Sequence, residues 1–521
     1  MEMKLLKKSI KTGQRVAAGA AEQPIESDLF LPDYYESVAR ILKCGAVCAI
    51  SRQNMMGDRL SVEGQVFVTI VYAPETRNTP RTVSTVLPFT KMIELKGDLS
   101  AAYAEVTPKL DYLNCRLMSS RRLDIKGAFS LQYELYSDKE EMVVTGTETP
   151  SLQLRGCTRK MHLQGATERK QFTVREELDP ANIENSDTVL SMRCYGEITD
   201  CKQVSGKLVL KGNIRLRVYY EREDGTLGTG DYVLPVSQIM DTAAGDSDTV
   251  SAAMNILHCE IQQEDGEEFP ILKTEITAEF LISVVTEMQA TLCEDAYDLK
   301  HEIELTTTPI RYTTLSGVQD ETIHLKCKAP MPERAAEVLF TISEVQGITA
   351  DREETRINFR IPVKHTVIYR DDTGELLQFE RTEEGGWSAE VGREGEILAR
   401  PINAAVTAES FSPDGAGGID IKAEIRFTCA VMKTGQADAI SDIAAGEEKT
   451  PNSGGALVIY YPDDNESLWE VAKRFSSTMQ AVREENELEG DRCGAGMMLM
   501  IPSLQMCIRD RLWPLCFHWA R

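Results

Sequence analysis

The sequence predicts a mainly β protein, with three tandem sandwich-like domains and a small carboxyl-terminal module of two strands and two helices. Three observations support this prediction. Apolar and polar residues alternate over long stretches, which is typical of half-buried strands. One such pattern recurs three times at a spacing of about 150 residues. The stretch that ends at Pro502 instead combines short strand and helix patterns.

Length and charge narrow the possible functions. A chain of 521 residues is long enough for several domains, and 42% of its residues are hydrophobic. The formal net charge of -25 argues against nucleic-acid partners, because a phosphate backbone would be repelled. No apolar run approaches the ~20 residues of a membrane helix, so we expect no membrane insertion. The basic start lacks an apolar continuation, and we expect residues 1–30 to be an N-terminal segment without a secretory signal.

The cysteines and histidines do not indicate a metal centre. The 13 Cys and six His are scattered, and no group of them has zinc-ligand spacing. An odd number of cysteines without a secretory signal favours reduced thiols. We therefore expect no metal, no cofactor and no disulfide framework.

The first repeated pattern is a strand of thirteen residues that ends in tyrosine. It occupies residues 60–72, 208–220 and 357–369. The final tyrosines, Tyr72, Tyr220 and Tyr369, are 148 and 149 residues apart. In the second copy Leu208, Leu210, Ile214, Leu216 and Val218 share one face, while Lys211, Asn213, Arg215 and Arg217 share the other. This alternation predicts a strand with one face on a core and one in water.

Glycine and proline interrupt these strands at specific places. Gly64 and Gly212 stand at the same position of the first two copies and predict a bulge or bend. Pro362 in the third copy predicts an edge position or a break, because proline cannot donate to a sheet ladder.

Two further strand patterns complete each repeat. Val86-Leu-Pro-Phe89 matches Val233-Leu-Pro-Val236 and predicts a return strand, whereas the third copy lacks this signature. A closing strand follows at residues 123–129, 273–280 and 419–425. The repeats predict three mostly β domains at residues 31–155, 170–305 and 318–440.

These three units resemble the SPOCS domain, a β-rich module of endospore-forming Firmicutes. The likeness rests on the glycine-interrupted strand that ends in tyrosine and on the Leu-Pro-Phe return, and it covers most of residues 31–440. It implies a role in the assembly of the spore coat or envelope, with other spore-envelope proteins as partners. It implies neither catalysis nor defined ligand residues.

The carboxyl-terminal module follows a predicted flexible linker at residues 441–455. Residues 457–461 predict a short strand, and Ser467-Leu-Trp-Glu470 predicts a capping box at the start of a helix. Leu468, Val471, Ala472 and Phe475 give that helix one apolar face. A second helix begins near Ser477, and residues 496–502 predict the closing strand. The last residues, 503–521, do not fit the pattern, and we expect a non-native tail without function.

The order strand, helix, helix, strand at residues 456–502 resembles the LysM domain. The matching motifs are Ser467-Leu-Trp469, Ala472-Lys-Arg-Phe475, Asn486 and Leu499-Met-Ile-Pro502. Asn465-Glu466 replaces the usual Gly-Asp, and Ala495 replaces the usual Pro. Trp469 is predicted to have a core role rather than to stack on a sugar.

The LysM resemblance implies binding of peptidoglycan or a related glycan that contains N-acetylglucosamine. The carbohydrate-binding loops would comprise Asn465, Glu466, Ser467, Leu468, Ala495, Gly496 and Met497. Residues 456–502 hold nine acidic and four basic side chains, which favours an uncharged glycan over teichoic acids. A protein partner for this module stays open as an alternative.

The sequence contains no nucleophile elbow and no phosphate-binding loop. Adjacent acidic pairs such as Glu140-Glu141, Glu353-Glu354 and Glu383-Glu384 are typical of a solvated acidic surface. We therefore expect a non-enzymatic spore-envelope assembly protein that is made in the mother-cell cytoplasm and acts at the forespore surface. The alternatives are a LysM-targeted cell-wall hydrolase and a phage-tail-like assembly factor.

Overall fold

β-Strands dominate the computed structural model of the protein. The structure describes residues 3–96, 102–180, 183–242, 244–332, 334–391, 396–415, 417–450, 457–494 and 496–502. The predicted tail, 503–521, lies outside the described residues, as do Ala495, residues 451–455 of the predicted linker and Ala456. Neither helix in the described part of the chain has the length and apolarity of a membrane span.

Unit 1 consists of two three-stranded antiparallel sheets that bury one common core. Its strands are β1 (Leu5–Phe30), β2 (Val38–Met56), β3 (Arg59–Pro74), β4 (Arg81–Glu94), β5 (Ala102–Ser119) and β6 (Arg122–Thr147). One sheet has the order β1-β6-β5 and the other the order β2-β3-β4. Ile70 of β3 and Leu131 of β6 lie in the same buried cluster, so the two sheets pack on each other.

Unit 2 has the same order of strands, except that its first strand is split in two. Its strands are β7 (Leu152–Gln164), β8 (Glu168–Leu178), β9 (Thr188–Val204), β10 (Lys207–Glu221), β11 (Leu227–Asp241), β12 (Thr249–Glu264) and β13 (Ile271–Asp298). The small sheet is β9-β10-β11. In the other sheet, β13 pairs with β12, β7 and β8.

Unit 3 follows the order of unit 1, with one additional short strand. Its strands are β14 (His301–Pro330), β15 (Ala335–Val345), β16 (Thr349–Glu353), β17 (Arg356–Asp371), β18 (Leu376–Glu390), β19 (Ile397–Pro413) and β20 (Gly418–Glu448). The larger sheet is β14-β20-β19, and β17 pairs with β15, β16 and β18.

The C-terminal module contains β21 (Leu457–Tyr460), α1 (Leu468–Arg474), α2 (Met479–Glu485) and β22 (Leu499–Pro502). The two strands pair antiparallel, with Ile459 opposite Met500. This is the predicted order of strand, helix, helix and strand, although α1 ends one residue before Phe475, which caps it.

The alternating strand patterns place the expected faces inward. On β10, Leu208, Leu210, Ile214, Leu216 and Val218 are all buried, while Lys211 and Arg215 are exposed. Gly212 lies at a register shift between β9 and β10, and Gly64 lies at the same place in unit 1. A Cβ on either glycine would approach a backbone carbonyl oxygen of the neighbouring strand to 2.4 Å. The predicted irregularity is therefore a close approach of two backbones.

Pro362 lies inside the central strand β17, which runs without interruption from Arg356 to Asp371, so the predicted edge position and the predicted break of this strand are both wrong. The partner of β17 on one side is interrupted between β15 and β16, which end at Val345 and begin at Thr349. Gln346 at this break donates its N–H to the carbonyl oxygen of Pro362 at 2.9 Å. The interruption stands where proline lacks an N–H to donate.

The boundaries of the units differ from the predicted ones. Residues 5–30, predicted to precede the first domain, form β1 and pair with β6 over its whole length. Strand β7 begins at Leu152 and β14 begins at His301, so neither boundary lies where the sequence placed it. Residues 441–448 of the predicted linker continue β20, because they pair with β14 and bury Ile443 against it.

Three apolar clusters join the units to one another. One of them contains Val71 from unit 1, Tyr219 from unit 2 and Ile368 from unit 3. A second holds Val143, Leu292 and Ala439 from the three long closing strands, and a third holds Val144, Cys293 and Ile440. Each cluster draws on equivalent strands of all three units, so the units are packed around shared cores.

Candidate functional site

The first helix of the C-terminal module begins at Ser467, as predicted, but the cap is a simple one. The hydroxyl of Ser467 accepts a hydrogen bond from the backbone N–H of Trp469 at 3.2 Å, whereas a capping box would use the N–H of Glu470. The side chain of Glu470 lies 3.4 Å from Nη1 of Arg155 in unit 2. The glutamate of the predicted capping box therefore contacts Arg155 of another unit.

The two predicted binding loops lie side by side. Asn465 adopts the left-handed conformation, with φ of 65°, and donates its N–H to the carbonyl oxygen of Cys493 at 3.0 Å. The N–H of Cys493 returns a bond to the oxygen of Glu466 at 2.9 Å, and Arg492 donates to the oxygen of Asn465 at 3.0 Å. These bonds bring the loop before α1 against the segment that leads to β22.

The carboxylate of Glu466 serves the loop itself. It accepts from the hydroxyl of Tyr460 at 2.9 Å and from the N–H of Asp463 at 3.1 Å, and it pairs with Arg474 at 3.1 Å. Its side chain is only 11% exposed. Glu466 has one methylene more than the Asp that is usual in LysM domains. With this extra length its carboxylate reaches groups inside the module.

The predicted site residues have different surroundings. Leu468 is fully buried among the core side chains of both helices, and its N–H donates to Asp491, so its side chain does not line the candidate surface. Asn465, Gly496 and Met497 are exposed, and Ser467 is half-buried. Ala495 lies outside the described residues.

Sequence reasoning missed the exposed apolar residues in and directly beside the small sheet. Tyr461 is 64% exposed, and Ile459 and Met498 are also exposed. The signal was the alternation of residues 457–461, because Val458 and Tyr460 pack inward and leave Ile459 and Tyr461 on the opposite face. Together with Met497, these side chains offer apolar edges beside the polar backbone of the two loops.

Asn486 fixes the position of the last strand. Its amide nitrogen donates to the carbonyl oxygens of Val482 at 2.8 Å and Met500 at 2.7 Å, and its amide oxygen accepts from the N–H of Met500 at 2.7 Å. One side chain therefore closes the end of α2 and holds β22 in place. The asparagine acts as a structural residue of the module.

The C-terminal module docks on the end of β13 in unit 2. Asp295 accepts a hydrogen bond from Nε1 of Trp469 at 2.7 Å and pairs with Nζ of Lys473 at 2.7 Å. Burial opposes ionisation of Asp295, but the hydrogen bonds from Lys473 and Trp469 outweigh it and lower the pKa of this carboxyl group. The hydroxyl of Tyr297 donates to the carbonyl oxygen of Ser477 at 2.7 Å.

Trp469 is enclosed by this interface. The ring of Tyr297 packs edge-on against it at 4.8 Å, and the guanidinium of Arg155 lies over it at 5.5 Å. Its indole is only 4% exposed. The ring is therefore not available as a platform for a sugar, as the sequence analysis predicted, but part of what buries it is another unit of the chain.

Adjacent acidic residues on the strands do not bring their carboxylates together. Glu140 and Glu141 are consecutive on β6, and Glu383 and Glu384 are consecutive on β18, so the members of each pair point to opposite faces. Among the described residues, no three His, Cys, Asp or Glu side chains are grouped so that they could hold a metal ion.

Comparison with known proteins identifies one part of the chain. Residues 37–118 match the family model described as SipL, SPOCS domain. Neither the curated proteins nor the solved structures include a match to this chain. The matched stretch comprises β2, β3, β4 and most of β5 of unit 1. Residues 37–118 of unit 1 are therefore similar to a SPOCS domain, and this similarity suggests a link to sporulation.

Proposed function

We propose that this chain is a non-enzymatic assembly protein of the spore envelope. The observation that carries the proposal is the SPOCS match in unit 1. The same strand order in units 2 and 3 supports an extension of the SPOCS assignment to all three units. In this proposal the units present surfaces to other spore-envelope proteins, and the chain acts on the mother-cell side of the forespore surface.

The C-terminal module, in this proposal, is a LysM-type reader of glycans that contain N-acetylglucosamine. Three features support this assignment: the order of strands and helices, the bonds of Asn486 to the last strand, and the pairing of the two loops. Exposed Tyr461 and Met497 provide apolar edges for an acetyl methyl group, and the loops provide backbone donors and acceptors. The excess of acidic residues in the module suits an uncharged glycan.

Retention on purified cortex peptidoglycan tests the glycan assignment. The full chain should sediment with this material, and soluble N-acetylglucosamine oligomers should release it. Tyr461→Ala and Met497→Ala should each reduce retention, because both remove exposed apolar surface beside the loops. Tyr34→Ala is the matched control, since Tyr34 is 81% exposed but lies in unit 1. Retention that survives the oligomers and both module substitutions would refute glycan binding at these loops.

A substrate gel separates the proposal from a cell-wall hydrolase. The full chain should leave embedded cortex peptidoglycan uncleared under conditions in which a known lysozyme clears it. Cleared bands from the purified chain would overturn the non-enzymatic assignment.

Imaging of a fluorescent fusion should show the chain around the forespore during sporulation, and diffuse signal at that stage would contradict the proposed location.

A further inference from the structure

Units 1 and 2 expose large apolar side chains at the same three positions of their small sheets. The positions are equivalent because they stand opposite matching residues of the central strands β3 and β10, which are 148 residues apart. All six side chains are between 44% and 58% exposed. They are Met56, Val86 and Met92 in unit 1 and Val204, Val233 and Ile239 in unit 2.

Unit 3 has polar residues at the same three positions. They are Glu353, Thr382 and Ser388, which stand opposite the matching residues of β17. A polar side chain is therefore compatible with this fold at each position. Exposed apolar residues that lie together mark contact sites, so the apolar side chains of units 1 and 2 indicate a contact that unit 3 does not make.

These apolar side chains lie on the face of each small sheet that points away from the core. Ser61, which stands opposite Met92, lies between two core residues of β3. Val209, which stands opposite Ile239, lies between two core residues of β10. Side chains alternate along a strand, so both rows point outward. We name the two surfaces the unit 1 face (Met56, Val86, Met92) and the unit 2 face (Val204, Val233, Ile239).

The two faces carry opposite charges at matching positions. On the unit 1 face, Glu63 of β3 stands opposite Arg52 of β2. On the unit 2 face, Lys211 of β10 stands opposite Asp200 of β9. Glu63 and Lys211 are 148 residues apart, so the same position has a negative charge in one unit and a positive charge in the other. Within the described part of the chain, none of Arg52, Glu63 and Lys211 has an ion-pair partner, so all three charges are available to another molecule.

The face of each small sheet, and not its edge, is suited to this contact. β4 and β11 are edge strands, and each has an exposed proline at the same position, Pro88 and Pro235. Proline on an edge strand hinders the addition of a further strand. The outward face of unit 1 already packs on a β unit further along, because Phe67 of β3 is buried against Leu257 of unit 2. The exposed unit 1 face continues this established interface.

We propose that the unit 1 face binds the unit 2 face of a second copy of this chain. In this contact β3 lies over β10 of the second copy, and β2 lies over β9. Glu63 then meets Lys211. Arg52 likewise meets Asp200, and the apolar side chains of both faces are covered. Contact between two unit 1 faces would bring glutamate against glutamate, so charge selects the unlike pairing. Because every copy has one face of each kind, the chain self-associates.

Analytical ultracentrifugation of the full chain tests self-association. The average mass should rise above the 58.1 kDa of one chain as the protein concentration increases over about two orders of magnitude. Added salt should weaken the association, because it screens the paired charges at the rim of the contact. A mass that stays at that of one chain over the whole range would overturn the proposal and leave the two faces to a different protein.

Substitutions at one repeated position locate the contact. Met92→Asp and Ile239→Asp each place a charge in the apolar part of a face, and each should raise the dissociation constant about tenfold or more. Ser388→Asp is the matched control, because it makes the same change at the equivalent position of unit 3. It should associate like the wild type. If Ile239→Asp associated as strongly as Ser388→Asp, the contact would lie elsewhere and the proposal would fail.

Exchange of the charges tests which faces meet. Glu63→Lys and Lys211→Glu each bring like charges together, so neither variant should self-associate at a concentration at which the wild type does. An equimolar mixture of the two variants should associate, because the lysine introduced in one chain faces the glutamate introduced in the other. Circular dichroism checks that both variants are folded. A mixture that associates no better than its separate components would refute the pairing of the unit 1 face with the unit 2 face.

Discussion

Nε1 of Trp469 donates a 2.7 Å hydrogen bond to Oδ2 of Asp295, and this bond connects the C-terminal module to the end of β13 in unit 2. Lys473, one helical turn further on, pairs with the same carboxylate. The module is therefore held against the body of the chain instead of hanging from a flexible linker. Three residues of its candidate loops, Asn465, Gly496 and Met497, stay exposed in this docked arrangement.

Removal of the charge of Asp295 should loosen the docked module. Asp295→Asn keeps the size of the side chain but weakens its bonds to Trp469 and Lys473, at a cost of about 2 kcal/mol for bonds to a charged group. Hydrogen exchange of the α1 amides should accelerate, and the matched surface variant Asp231→Asn should leave it unchanged. Unaltered exchange in Asp295→Asn would show that apolar contacts alone hold the module.

Acid should weaken the same interface. Because the pKa of Asp295 is lower in the folded chain than in the unfolded one, its contribution is complete above the unfolded pKa of ~3.9 and disappears as the pH falls through the folded value. Exchange of the α1 amides should therefore become more similar in wild type and Asp295→Asn below about pH 3. If the difference in amide exchange between the two proteins stayed constant down to that pH, the result would contradict an ionic contribution of Asp295.

His365 should make the stability of the chain depend on pH in a higher pH range than Asp295 does. Burial of the ring lowers its pKa to about 4, and Nδ1 lies 2.8 Å from the hydroxyl of Ser343. The neutral ring stabilises the fold fully above its unfolded pKa of ~6.5, and this contribution of about 3 kcal/mol is lost as the pH falls towards 4.

Denaturant unfolding at pH 7, 5.5 and 4.5 measures this contribution. His365→Gln removes the titration, so the variant should lose less stability than the wild type over this range. His324→Gln is the control, because His324 is 69% exposed. If the wild type and His365→Gln lost the same stability as the pH falls, His365 would be ruled out as the source of the pH dependence.

The buried pair between units 1 and 3 should matter more than the exposed one beside it. Lys43 is nearly buried and lies 2.6 Å from Glu344, whereas Arg40 and Glu375 form a half-exposed pair between the same units, also at 2.6 Å. Lys43→Met should lower the free energy of unfolding by about 2 kcal/mol, because Glu344 loses its partner. Arg40→Met should cost at most ~1 kcal/mol. Equal costs in urea unfolding would contradict this ranking.

The close backbone approach at the repeated glycines should not tolerate a methyl group. Gly64→Ala and Gly212→Ala would each place a Cβ 2.4 Å from a carbonyl oxygen, so each should cost about 1–3 kcal/mol or more. Gly386→Ala on β18 is the control, because its Cβ would meet its nearest atom at 3.4 Å. Thermal unfolding compares the three, and a melting temperature for Gly212→Ala no lower than that of Gly386→Ala would disprove the argument.

The strands could be predicted from the sequence because the alternation of apolar and polar residues indicates which face of a strand is buried. Leu208 to Val218 predicted the inward face of β10, and Gly212 predicted the irregularity beside it. The cap at Ser467 and the start of a second helix near Ser477 likewise needed only local chemistry, although the residue that caps this helix is Thr478. The candidate loops at Asn465 and Gly496 were identified by motif resemblance. That resemblance included Leu468 in the site, although its place in the apolar face of the predicted helix already indicated that its side chain is buried.

By itself the sequence determined the local elements of this protein: the alternating strands, the repeated glycine, the two short helices and the capping residue Ser467. The tertiary structure decided which segments pair over long distances. Residues 441–448 look like a linker in composition, yet they continue β20 because β14 supplies their hydrogen bonds. Asp295 looks like one acid among many, yet it anchors Trp469. Periodicity shows that a side chain is buried, but only the packed chain shows which partner buries it.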